Sequence, residues 1–367
     1  MAPVFDLDAM LADLRALVEA ESPSLQLDAI EHSAAALAEL IERRLGSAAE
    51  LVPSPAGPHV HWRGSGEPRV LLVGHHDTVF PLGTLVTRPF RVGNGHATGP
   101  GVFDMKGGIV LGVHAVAALA DRSGIELLFT ADEEVGSGAS RALIEARADA
   151  CGAVLVLEPA ADGGALKTGR KGTGGFAVTV HGRAAHAGLE PEKGVNALVE
   201  AALQVLAISE LADSERGTTV TPTVATAGTA DNVVPAAATI RVDVRVTEQE
   251  EAARVDAAMA ALSTFDPEAR LEVTGGVNRP PMPEQATAEL FALAQKVAAE
   301  AGLPPPTGVA VGGGSDGNFT AALGIPTLDG LGAVGGGAHA DHEFVVVDTL
   351  VDRARLLGRL VDALRSR

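Results

Sequence analysis

Apolar and polar positions change their spacing near residue 174. Before it, Met10, Leu11, Leu14, Leu17 and Val18 recur on one helical face, and the same periodicity predicts a second helix over 29–45. Short unbroken apolar runs then alternate with helical stretches. VLLV at 70–73, IELLFT at 125–130 and AVLVL at 153–157 read as strands, with helices over 106–121 and 140–147. Continuous apolar strands separated by helices predict an α/β fold with a mainly parallel sheet covered on both faces. Beyond 174 the alternation becomes strict, with Phe176, Val178 and Val180 on one face and later Ile240, Val242, Val244 and Val246. Helices over 196–211 and 248–265 and strands over 219–228, 238–246 and 269–276 give the order β-α-β-β-α-β, a split, ferredoxin-like unit. The helix–strand style returns with a helix over 286–302 and a strand at 325–332. The expected organisation is one domain over 1–173 and 279–367, with a second, α+β domain over 174–278 inserted into it.

Polar residues interrupt this pattern at telling places. His75, His76 and Asp77 follow the first buried strand, Asp132, Glu133 and Glu134 the second, and Glu158 the third. Asp104 lies in GPGVFDMKGG, and His339, Asp341 and His342 follow the last strand. Ligands of open α/β sheets bind beyond the carboxyl ends of the strands, so these distant residues can converge. Crowded carboxylates raise one another's pKa unless a cation neutralises them. A set of imidazoles and carboxylates without thiolates suits zinc, with cobalt or manganese as alternatives. A carboxylate left over from ligation can act as general base.

Composition narrows the remaining classes. The formal charge of -19 offers no footprint for nucleic acid or anionic lipid. The acidic N-terminus lacks the basic start of a signal peptide, and no apolar run is long enough to span a bilayer, so a cytoplasmic protein is expected. Cys151 is the one cysteine, which rules out an internal disulfide and reads as a buried apolar residue. GLGAVG at 330–335 fits a dinucleotide fingerprint in letters only, since no helix pattern follows it.

The order H-x-D, G-P-G-x-x-D-x-K-G-G, D-E-E-x-G-S, a strand ending E-P, and a late H-x-D resembles the di-zinc family of glutamate carboxypeptidase, acetylornithine deacetylase, succinyl-diaminopimelate desuccinylase and aminoacylase. The likeness runs from about His75 to Val347, and NALVEA after GRAAHAG looks most like the glutamate carboxypeptidases. It implies two divalent metal ions held by His75, Asp104, Glu134, Glu158 and His339, with Asp104 shared. Asp77 would orient a ligand, and Glu133 would be the general base on a metal-bridged hydroxide. The peptide after Asp104 is expected to be cis. His186 would donate to the oxyanion from the lid, commonly of a partner subunit. Asn232 and Arg245, and with weaker likeness Arg279, Lys167 and Gly314 of GGGSDGN, would hold the substrate. The implied reaction is hydrolysis of an amide in a small carboxylate-bearing substrate, by a carboxypeptidase or an N-acyl-amino-acid deacylase that dimerises through its lid. A dipeptidase of the same family and a non-catalytic binding protein on the same scaffold are the alternatives.

Overall fold

A computed structural model describes residues 5–366; the first residues of the N-terminal segment read above for a leader lie outside the described residues. The chain divides into two compact units, one of residues 1–169, 283–311 and 315–367, the other of residues 170–282 and 312–314.

In the first unit the apolar runs form the middle of a six-stranded sheet. Its order is Glu50–Val52, His59–Arg63, Ile125–Thr130, Val70–His75, Val154–Val156, Thr327–Leu328. Every residue of Val70–His75 and Ile125–Thr130 is buried, as two-sided strands require. The last four strands are parallel and the first two antiparallel, so an unexpected hairpin edges the parallel sheet. The polar alternation of HVHWR hides its burial: His61 pairs with Glu126 at 2.9 Å inside the sheet.

Three close contacts fix the helices. Leu7–Glu19 and Leu27–Leu45 are joined by the buried Asp13, whose carboxylate takes bonds from Arg43, Arg44 and His114 at 2.9, 2.7 and 2.8 Å. The helix expected over 106–121 is shorter, Gly107–Ala117, because Arg122 folds back onto the carbonyls of Val116 and Ala117 and ends it. A side chain at Gly108 would meet the carbonyl oxygen of Leu157 at 2.0 Å, so glycine alone lets this helix lie against the third strand. A small antiparallel sheet of Arg91–Gly93, His96–Thr98, Gly335–Gly336 and Phe344–Val346 went unforeseen, since strands of two or three residues carry no readable period.

The second unit is a four-stranded antiparallel sheet in the order Thr219–Ala227, Ala237–Val246, Gly172–His181, Arg270–Arg279. This is the ferredoxin-like arrangement. Phe176, Val178 and Val180 pack with Ile240, Val242 and Val244 and with Ala201, Ile208, Val255 and Met259 of the helices Ala197–Ser209 and Gln249–Ala260. Thr219–Ala227 is an edge strand. Among the described residues no helix is long and apolar enough to cross a membrane.

Candidate metal centre

The register of the parallel strands brings the polar clusters together. Val73 pairs with Val156, so two residues further along each strand His75 and Glu158 come level. His75 Nε2 lies 3.4 Å from Glu158 Oε1 and 3.3 Å from Asp104 Oδ1. The other oxygen of Asp104 lies 3.3 Å from Nε2 of His339, which is also 3.1 Å from Glu134 Oε2. One carboxylate therefore faces two imidazoles. His75, Asp104 and Glu158 form one group of donor atoms within 4.8 Å of one another, and Asp104, Glu134 and His339 form the other. Glu133 belongs to neither. The Asp104–Met105 peptide is cis.

The donor chemistry of His75 tests whether a cation fits. Its Nδ1 lies 3.0 Å from the carbonyl of Asp77, which can only accept, so Nδ1 carries the hydrogen. A neutral ring then turns the lone pair of Nε2 toward two carboxylate oxygens. That arrangement is repulsive without a positive charge between them, either a proton or a metal ion. Burial opposes a proton on His75, yet Asp104, Asp77 and Glu158 together hold its pKa well above the ordinary value. Asp104 and Glu134 push His339 up to about 10 against its burial. Burial would raise Asp104, but the adjacent imidazoles of His339 and His75 hold it well below the usual carboxylate range. Glu134 is raised, chiefly by burial. Asp104 Oδ1 is buried and makes no hydrogen bond. A pocket with this appetite for positive charge fits two divalent ions.

His76 does not join the group. Its ring meets Ser33 Oγ at 3.3 Å and the carbonyl of Pro58 at 3.1 Å, and burial lowers its pKa to about 4, so it is a neutral structural residue. Asp77 is fully buried. Its carboxylate accepts from the N–H groups of Glu133 and Glu134 at 3.2 and 3.3 Å and from Ser24 Oγ at 2.7 Å, and stands 3.4 Å from His75 Nδ1. It ties the first histidine to the turn that carries both glutamates. Lys167 Nζ lies 4.0 Å from Glu158 Oε2. Glu343 escaped the sequence reading, although it closes HADHE: it is buried and accepts three backbone N–H groups of the loop bearing Asp104.

The lid residues separate into two groups. His186 bridges to Val233, and Ala187 N–H donates to the carbonyl of Asn232 at 2.9 Å, so His186 and Asn232 are neighbours. His186 Nδ1 accepts from Gly188 and Leu189 at 3.1 Å each, which leaves Nε2–H of the neutral ring as an exposed donor. Arg245 and Arg279 both pair with Thr173 on opposite sides of the central strand, and a side chain at Gly314 would touch Thr173 and Arg279 at 2.9 and 3.1 Å. Arg245 forks onto Asp243 at 3.0 and 2.8 Å, a same-face pairing two residues apart that the sequence reading missed. His186 and Asn232 flank the other end of that strand, beyond His181. Eight residues at about 3.4 Å each separate Thr173 from His181, roughly 27 Å.

Residues 71–363 match peptidase family M20/M25/M40. The chain is 36% identical over 312 residues to carboxypeptidase G2 of Pseudomonas sp. (strain RS-16), covering 82% of this chain and 74% of the relative. It is 31% identical over 318 residues to succinyl-diaminopimelate desuccinylase of Acidiphilium cryptum, covering 82% and 84%. An M20 metallo-carboxypeptidase from Sulfolobus solfataricus shares the fold with a TM-score of 0.74 at 17% identity, over 99% of this chain and 100% of that one. The chain therefore belongs to peptidase family M20/M25/M40, a family of metal-dependent hydrolases that includes peptidases and deacylases.

Proposed function

We propose that the protein hydrolyses an amide bond beside a free carboxylate, as a carboxypeptidase or an N-acyl-amino-acid deacylase. The observation that carries the reading is the single carboxylate of Asp104 facing both His75 and His339. His75, Asp104 and Glu158 would hold one divalent ion, and Asp104, Glu134 and His339 the other, with zinc the best match to the donors. When bound, such ions polarise a carbonyl and acidify water. Glu133, outside both ligand groups, takes the proton of the attacking water and returns it to the leaving nitrogen. Asp77 keeps Glu133 and Glu134 in place through their backbone N–H groups. Arg279, Arg245 and Gly314 would receive the substrate carboxylate, a planar guanidinium being suited to a two-point grip. For Arg245 this means exchanging its bond to Asp243. The name of carboxypeptidase G2 points to cleavage at a carboxyl end in that relative, which favours the same polarity here.

His186 supports a two-copy site. Its exposed Nε2–H is an oxyanion donor by chemistry, but it stands at the far end of the lid sheet from Arg279. A homodimer joined through the lid would supply it from the second subunit. Leu198, Val199, Leu203 and Leu206 are exposed on the helix Ala197–Ser209, next to the open edge strand Thr219–Ala227. An apolar stripe beside an open edge is a surface that a second copy would cover. A cytoplasmic location suits the single, buried cysteine.

Glu133→Gln tests the assignment. Turnover of N-acyl amino acids and dipeptides should fall by about 10²–10⁴-fold while metal content stays near two per chain. Loss of metal in that variant would make Glu133 a ligand instead. Wild-type turnover that survives exhaustive chelation would end the metal mechanism.

A further inference from the structure

One buried carboxylate outside the candidate ligand set is bonded to the loop that carries the central one. Glu343 is 1% exposed. Its Oε2 accepts from Gly101 N–H at 2.9 Å, and its Oε1 accepts from Phe103 N–H and Asp104 N–H at 2.8 Å each. Three donors spread over the turn that presents Asp104 thus converge on two atoms. Glu343 also ends the turn that carries His339. That turn is closed by Ala340 N–H on Gly337 and by Glu343 N–H on Ala340, with His339 in a left-handed backbone conformation at φ 64°. Arg88 ties it further, donating to the carbonyl of Ala340 at 3.0 Å.

We propose that Glu343 is a positioning residue that sets the distance between the two metal positions. It clamps the backbone of the shared ligand Asp104 to the turn of the terminal ligand His339. This rests on the two-metal reading above. A buried carboxylate is the side chain for the task, because every donor it meets is an N–H and both of its oxygens accept. Glutamine of the same shape would set an NH₂ group against Gly101 N–H and keep only the Oε1 bonds. Alanine would release all three. Lys106 is the nearby cation, buried and bonded through Nζ to the carbonyl of Ala20 at 2.9 Å, and it offers the Asp104 turn no second acceptor.

The experiment titrates metal-free wild-type, E343Q and E343A proteins with cobalt(II), following the visible absorption bands and the stoichiometry, alongside the melting temperature of each metal-free protein. D13N, which breaks a buried network away from the ligand set, controls for plain loss of stability. The expected result is two cobalt ions per wild-type chain, binding at least about tenfold weaker at both positions in E343A with altered bands, and a smaller shift in E343Q. D13N should melt earlier yet bind cobalt as wild type does. Wild-type affinity and bands in E343A would overturn the proposal, and if E343A fails to fold, unchanged bands and affinity in E343Q overturn it. Wild-type protein that takes up no cobalt removes the two-metal reading and this inference with it; two ions in the wild type with unmoved variants remove this inference alone.

Discussion

In the first unit, four side chains from separate strand ends and loops meet around the carboxylate of Asp104. In the second, four residues of substrate-binding type divide between opposite ends of one strand. The first set assembles within a chain: the Nε2 of each imidazole has two carboxylate partners within 3.4 Å. The second set flanks the two ends of a strand on which Thr173 and His181 stand roughly 27 Å apart by its rise. On the two-copy reading proposed above, the His186 and Arg279 that grip one small molecule come from different chains. Metal binding should therefore be a property of the single chain, and turnover a property of the pair.

The sharpest way to break this contrast is to remove the shared group. Asp104→Asn should abolish stable binding of both metals and reduce turnover at least as much as Glu133→Gln, whereas Glu158→Gln should weaken one position more than the other. Metal analysis of the two variants decides; retention of both ions by Asp104→Asn would mean the carboxylate is not shared.

Mixing tests the second half. Glu133→Gln and His186→Ala chains should each be nearly inactive alone, His186→Ala by about 10²–10³-fold if it donates to the oxyanion. Combined and allowed to exchange, they should recover about a quarter of wild-type activity, because half of the random dimers carry one site with an intact Glu133 and a partner's His186. No recovery, with exchange verified by mass, would place His186 in its own chain's site.

These residues were unequally legible. The candidate ligands stand out because charge at the end of a buried strand is costly without a purpose, and their order along the chain matches a family pattern. Asp77 and Glu343 differ in this respect. Asp77 sits within H-x-D, but its bonds to the N–H groups of Glu133 and Glu134 join residues more than fifty positions apart. Glu343 spans about 240 positions to reach the Asp104 turn, and no local period records a bond of that kind. The edge hairpin was hidden for another reason: His59 and His61 look solvent-facing in HVHWR yet are buried, one of them against Glu126. The separation of His186 from Arg279 was readable only once the pairing of the four lid strands was known.

The smallest effect belongs to a part of the first unit that leaves the metal centre alone. Asp13→Asn should cost about 2 kcal/mol at neutral pH, read by denaturant unfolding, with cobalt binding unmoved. Burial would raise the Asp13 carboxyl, but His114, Arg44 and Arg43 hold it well below its ordinary value. A carboxyl so depressed stabilises the fold fully above its unfolded pKa of about 3.9 and loses that contribution as pH falls toward the lower folded value. The gap between wild type and variant should therefore narrow below about pH 4. A gap constant from pH 7 to pH 3 would show that the carboxylate's charge is not what the network uses.

Cys151 has a practical consequence. It is the chain's one thiol, it lies buried at the end of the helix Arg141–Cys151, and burial pushes its pKa up to about 12. At neutral pH it presents almost no thiolate to an alkylating reagent. The natural protein should thus behave toward maleimides as though it had no cysteine. One engineered thiol on the exposed face of the helix Ala197–Ser209 would therefore accept a fluorophore without background from the natural chain.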